Sequence, residues 1–162
     1  MSVEWATLTL RSRGFAALLA CLAALACTRL PPTNSIGIPS IPSGEARIWF
    51  YRGDEPYAGR GTPAVSANGV YVGPAELGGA FYRDVPPGHY HVTVETVGLD
   101  VNQSAAADLA AGQEAYVKIV SLPDWVSGGD IMEYERPTFY AWLMPSQSAR
   151  AEVGQLSFHG SN

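Results

Sequence analysis

Past residue 45 the apolar runs of this chain are short, β-branched and aromatic, and each is closed by glycine, proline or asparagine. That punctuation leaves little room for long helices and points to many short strands. Ala46–Arg52 opens the region with Ile48, Trp49, Phe50 and Tyr51 in succession. Ala64–Ala67 and Val70–Val72 are separated by Asn68-Gly69, the dipeptide that supplies two positive φ angles to a type I′ hairpin turn. Ala80–Val85 runs into Pro86-Pro87-Gly88, and His89–Val97 follows as the longest strand. In it Tyr90, Val92, Val94 and Thr96 share one face, while His89, His91, Thr93 and Glu95 share the other.

Ser104–Leu109 is a further short strand, Ala111-Gly112 a turn, and Glu114–Leu122 a strong strand with Val117 and Ile119 pointing inward. Thr138–Met144 alternates Phe139, Ala141 and Leu143 against Tyr140 and Trp142. Only Ser146–Leu156 reads as a helix, and Gly154 weakens it. About seven strands at this spacing predict a mainly β fold, a small antiparallel β-sandwich in a single domain.

Ahead of the strands lies an address. Gly14–Ala26 is thirteen residues without a charge, preceded by Arg11 and Arg13 and followed closely by Arg29. A spanning helix needs roughly 20 apolar residues, so the pattern fits a secretory signal peptide. The residues Ala23-Ala24-Leu25-Ala26-Cys27 resemble the lipobox of bacterial lipoproteins. The resemblance implies a cut before Cys27, a diacylglycerol thioether on its sulfur and acylation of its new amino group, hence a stable membrane anchor. Leu18-Leu19-Ala20-Cys21 is nearer the usual lipobox pattern, which has leucine three residues before the cysteine, but it leaves a shorter apolar run before the cut, and Cys27 is favoured. By the same resemblance, Thr28 in place of aspartate favours the outer over the inner membrane. Thr28–Gly44, with Pro31, Pro32, Pro39 and Pro42, reads as a semi-rigid tether of about 3.1 Å per residue where it is polyproline II. The expected organisation is a signal peptide at 1–26, a lipidated cysteine and tether at 27–44, a β-sandwich at 45–158 and a tail at 159–162.

Composition narrows the partners. Cys21 and Cys27 are the only cysteines, so a chain cut before Cys27 keeps no free thiol, disulfide or cysteine-based metal site. The same cut removes Glu4, Arg11 and Arg13 from 15 acidic and 10 basic residues, leaving a net charge near −6 with Lys118 the only lysine. Such a balance excludes nucleic acid as an expected partner and a polybasic grip on anionic lipid.

The sequence Asp84-Val-Pro-Pro-Gly-His-Tyr-His-Val-Thr-Val94 resembles the turn and strand of PEGA-like and carboxypeptidase-regulatory-like small sandwiches. With Ala46–Arg52, the Asn68-Gly69 hairpin and Leu109–Val117, the ordered set is similar to the bacterial lipoprotein family known as domain of unknown function 2846. That resemblance spans about residues 46–120 and implies a small, usually lipid-anchored extracytoplasmic β-sandwich. It brings no catalytic residues.

Chemistry-bearing residues form no recognisable constellation. His89 and His91 project from one face of a strand, but Glu95 lies about 13 Å from His91 along it, too far to share an ion. A Gly-x-Ser-x-Gly elbow is missing, and Gly59-Arg60-Gly61 and Gly78-Gly79 lack the lysine and helix of a phosphate loop. No metal, cofactor or catalytic residue is therefore assigned, and a metal-dependent or serine hydrolase is the remotest reading. The surplus is aromatic: Trp49, Tyr51, Tyr71, Tyr82, Tyr116, Tyr140 and Trp142 all fall in expected strands. Some must lie outside a two-sheet core, packed under the Leu122–Pro137 excursion or exposed. Trp125 in that excursion, with Tyr140 and Trp142, makes the candidate binding set, for an envelope protein first and a glycan second. The role expected is thus a lipid-anchored, non-catalytic envelope module. Labelled palmitate should appear on the wild-type protein and on Cys21→Ala and be lost from Cys27→Ala, read by autoradiography of the immunoprecipitate.

Overall fold

The computed structural model describes residues 29–56, 58–59, 61–95, 103–128 and 132–161, and at 123–137 the backbone alone. The expected signal peptide at 1–26, Cys27, Thr28, Thr96 and the side chain of Trp125 lie outside the described residues.

Among the described residues nine strands form two stacked sheets. The first sheet contains β1 (Ala46–Arg52), β4 (Gly79–Val85), β7 (Glu114–Gly128), β8 (Met132–Met144) and β9 (Ser157–Ser161), in the order β8-β7-β1-β4-β9. The second contains β2 (Ala64–Ala67), β3 (Val70–Pro74), β5 (Gly88–Val94) and β6 (Ala105–Leu109), in the order β3-β2-β5-β6. The second sheet is antiparallel throughout; the first is mixed, because β1 pairs parallel to β7 and β4 parallel to β9. The expected sandwich is present, with parallel pairs where purely antiparallel ones were expected.

Local chemistry accounts for the turns. Asn68 and Gly69 sit at φ 49° and 77°, closing β2 onto β3 as their sequence requires. Pro86-Pro87 carries the chain from one sheet to the other, and the Tyr90 hydroxyl donates to the Pro86 carbonyl at 2.7 Å, fixing the corner. Val92 and Val94 point into the core from β5 while His89 and His91 face solvent, as period-two alternation predicts.

The core between the sheets is built from Ile48, Phe50, Phe81, Val117, Ile119 and Phe139 on one side and Val65, Val92, Val94 and Leu109 on the other. A second apolar layer lies on the outer face of the first sheet, where Trp49, Tyr51, Ala80, Tyr82 and Tyr116 meet Ala149 and Val153 of a helix, α1 (Ser146–Gln155). These aromatics were expected under the Leu122–Pro137 excursion or in solvent; α1 and the segment around Ile38 cover them instead. All seven residues of β1 are consequently buried.

Helix α1 is there for a topological reason. Strands β8 and β9 occupy opposite edges of the sheet and run parallel to each other, so their connection must cross about four strand spacings, roughly 19 Å. A ten-residue helix spans about 15 Å of that. Ala149 and Val153, one turn apart, form its buried stripe.

The expected Leu122–Pro137 loop is a continuation of β7 and β8, paired without a break to Gly128 opposite Met132. The prolines do not stop it because Pro123 faces Pro137, which places both missing N–H groups at one rung. Past Tyr51 opposite Lys118, β7 has no ladder to β1, so a two-stranded ribbon loses nothing further there.

Among the described residues Arg47 and Arg52 are the buried arginines. Arg47 donates to both Asp84 oxygens at 2.7 and 2.9 Å and to the Pro39 carbonyl at 2.8 Å, and lies 3.8 Å above the Tyr82 ring. Arg52 donates to the carbonyls of Gly59, Gly61 and Ala75 and faces the Phe139 ring, closing one end of the inter-sheet core. Removing Asp84 strands a buried cation, so Asp84→Ala should lower stability by about 3 kcal/mol or more in urea unfolding. The double variant Arg47→Met/Asp84→Leu should recover most of that loss, because an apolar pair has no charge to desolvate.

Candidate interaction surface

Because α1 lies over β7, β1 and β4, the outer face of the first sheet is left open towards β8. Register places Tyr116, Lys118 and Val120 of β7 opposite Met144, Trp142 and Tyr140 of β8. Trp142 and Leu122 are each nearly half exposed, while Tyr140, Val120 and Met144 are half-buried. A shallow cavity of about 280 Å³ opens here, lined by Glu55, Ala58, Lys118, Val120, Leu122, Trp142 and Met144. Its rim is charged. The Lys118 ammonium sits 3.0 Å from Glu55 and 2.9 Å from Glu152, with its nitrogen 6.0 Å from the Tyr51 ring centroid. Burial disfavours that charge, but the bonds to Glu152 and Glu55 outweigh it and raise the pKa, so the ammonium is held charged and in place.

Tyr140 and Trp142, two residues apart on one strand, are thus brought together on one face as their spacing predicts. The backbone of Trp125 lies further along the same hairpin, opposite Glu135. Of the remaining aromatics, Tyr71 is exposed but belongs to β3 of the other sheet, and Trp49, Tyr51, Tyr82 and Tyr116 are covered. Among the described residues the exposed rings Trp142 and Tyr71 therefore form no continuous row.

A larger groove of about 440 Å³ runs between residues 33–41 and the outer face of the sheet, walled by Ile36, Ile38, Ile41, Trp49 and Val153. Its polar groups are committed to one another. Glu114 accepts from Arg150 at 2.7 Å, from the Tyr116 hydroxyl at 3.0 Å and from the Trp49 indole at 3.2 Å. Arg150 donates a further bond to the Tyr116 oxygen at 3.2 Å. Burial opposes ionisation of Glu114, but the bonds from Arg150, Trp49 and Tyr116 together prevail and hold its carboxyl below the usual carboxylate range. This cluster ties α1 to β7 and β1. Sequence reasoning misses it because its members are scattered from Trp49 to Arg150; the only local signal is Glu114 and Tyr116 at i and i+2, on one face of a strand.

His89 lies 2.8 Å from Asp108 on the exposed side of the second sheet, and Glu95 accepts a bond from the Ala64 amide. His159 is on β9, in the other sheet. Among the described residues no three His, Cys, Asp or Glu side chains are grouped to hold a metal ion.

No protein-family model matches the chain, and no curated protein matches it.

A carboxylate whose folded-state pKa is depressed adds stability that is complete above its unfolded value and is lost as pH falls through the folded one. Glu114 should therefore contribute to acid unfolding below about pH 4.3, its ordinary range. Glu114→Gln should be less stable than wild type at pH 7, and the gap should narrow at pH 3, as read from urea midpoints across the range.

Proposed function

We propose that this protein is a lipid-anchored, non-catalytic module of the bacterial cell envelope that holds a protein partner on the face around Trp142. The observation that carries the reading is the open apolar face of β7 and β8: Leu122 and Trp142 stand exposed where α1 ends its cover, and an indole in a shallow pocket is the usual anchor of a protein contact. The Lys118 ion triad at its rim supplies polar specificity without a reactive group. The anchor rests on the lipobox-like Ala23–Cys27, with the outer membrane favoured by Thr28, and the resemblance of residues 46–120 to domain of unknown function 2846 supports the same placement.

A glycan is the second reading, supported by the pairing of one exposed indole with charged hydrogen-bonding groups, Lys118 and Glu55, in the same pocket. A photo-crosslinking amino acid at position 142, irradiated in intact cells, should give a discrete protein adduct that the same group at Tyr71 does not. Recovery of the monomer alone would count against a protein partner. Heat on titration with peptidoglycan fragments, abolished by Trp142→Ala, would move the assignment to the glycan.

A further inference from the structure

Residues 31–41, part of the stretch Thr28–Gly44 that the sequence presents as a semi-rigid tether, are tied along the domain. The Phe158 amide donates to the Pro31 carbonyl at 3.0 Å, and the Thr33 amide and hydroxyl both donate to the Leu156 carbonyl, at 2.8 and 2.9 Å. Pro32 bridges Ser157 in antiparallel fashion, extending the sheet by a short segment beyond β9. Thr33 is buried, Ile38 packs against the outer aromatic layer, and the Pro39 carbonyl accepts from Arg47. Detaching the segment would therefore cost several hydrogen bonds, one to a buried cation, and uncover Trp49.

This changes the length of the leash. From Cys27 to Pro31 there are four residue steps, at most about 14 Å of extended chain. A domain of this size has a radius of gyration of about 14 Å and is therefore at least about 28 Å across, so the leash is shorter than the body it holds. Resting on the reading of Cys27 as the lipidated residue, we infer that the domain lies against the lipid headgroups, with β9 and residues 29–33 nearest the bilayer. The surface suits that position: β9 is Ser157-Phe158-His159-Gly160-Ser161, with no carboxylate, and Leu30 beside it is exposed. Because the chain is acidic overall, the leash and not charge holds the contact, and the contact is insensitive to salt. Strand β8 at the opposite edge of the same sheet is directed away from the lipid, which presents Trp142 to the envelope space.

The test uses the full chain, processed in a bacterial host, extracted in detergent and reconstituted in vesicles of phosphatidylethanolamine and phosphatidylglycerol. Donor dyes on His159→Cys and, separately, Leu143→Cys report energy transfer to a headgroup acceptor. Transfer from position 159 should exceed that from 143 at least twofold, persist in 1 M salt, and fall when twelve Gly/Ser residues are inserted between Thr28 and Arg29. Equal, weak transfer from both positions, unchanged by the insertion, would show that residues 31–41 have peeled away and would overturn the inference. Mass spectrometry of the same preparation reads the anchor separately. Lipid on Cys27 with equal transfer refutes the leash alone, whereas lipid absent from Cys27 refutes the anchor and the leash together.

Discussion

Burial of β1 on both of its faces is the constraint around which the other elements are arranged. Ile48 and Phe50 require a second sheet, and Trp49 and Tyr51 require a cover on the opposite side, so one sandwich interface is not enough. The second sheet supplies the first cover. Helix α1 and the segment ending at Ile41 supply the other, at the cost of a crossover between the two edges of the sheet. Arg47 and Arg52 mark the ends of this doubly covered strand, and each donates to parts of the chain that β1 alone does not reach: Asp84 and Pro39 for one, Gly59, Gly61 and Ala75 for the other, although among the described residues the Arg52 Nε is left without a partner. These bonds fix the connections that flank β1 as firmly as the apolar contacts fix its sides.

What was legible in the sequence was what local chemistry decides. The Asn68-Gly69 turn, the Pro86-Pro87 corner, the alternation of β5 and the inward Val117 and Ile119 all follow from turn residues and period-two patterning. Residues 146–156 read correctly as a helix despite Gly154, because the break it introduces falls in the last turn. Strand β9 was not legible: Ser157–Ser161 has no β-branched residue, and its pairing comes from β4 on one side and from Pro32 on the other. The β7–β8 ribbon was hidden for a related reason, since a proline argues against a strand unless its partner rung also holds one. Of the candidate face, Tyr140 and Trp142 could be read as neighbours, but Lys118, Glu55 and Glu152 come together only through the tertiary fold.

Several of the buried and half-buried ions are closed in small circuits, and one circuit stands at the rim of the open apolar face. Arg47 with Asp84, Glu114 with Arg150, and Lys118 with Glu55 and Glu152 each neutralise locally. The last two circuits lie on either side of the Ala149 and Val153 stripe, so α1 is located by packing along its centre and by ions along its flanks. Beside the last of these circuits Trp142 and Leu122 stand exposed, so their burial by another molecule would return free energy in proportion to the apolar area covered.

The bond between Thr33 and Leu156 joins positions 123 residues apart. Contacts of that separation are late events in folding, because the intervening loop must be closed before they contribute. The outer aromatic layer cannot be sealed until the chain through β9 is in hand. During synthesis from the N-terminus, residues 31–33 therefore wait for their partners at 156–158 until the chain through Phe158 has been made. Docking of residues 31–41 and completion of the domain then become one cooperative event, and a chain arrested before residue 146 would lack Ala149 and Val153 over Trp49, Tyr82 and Tyr116.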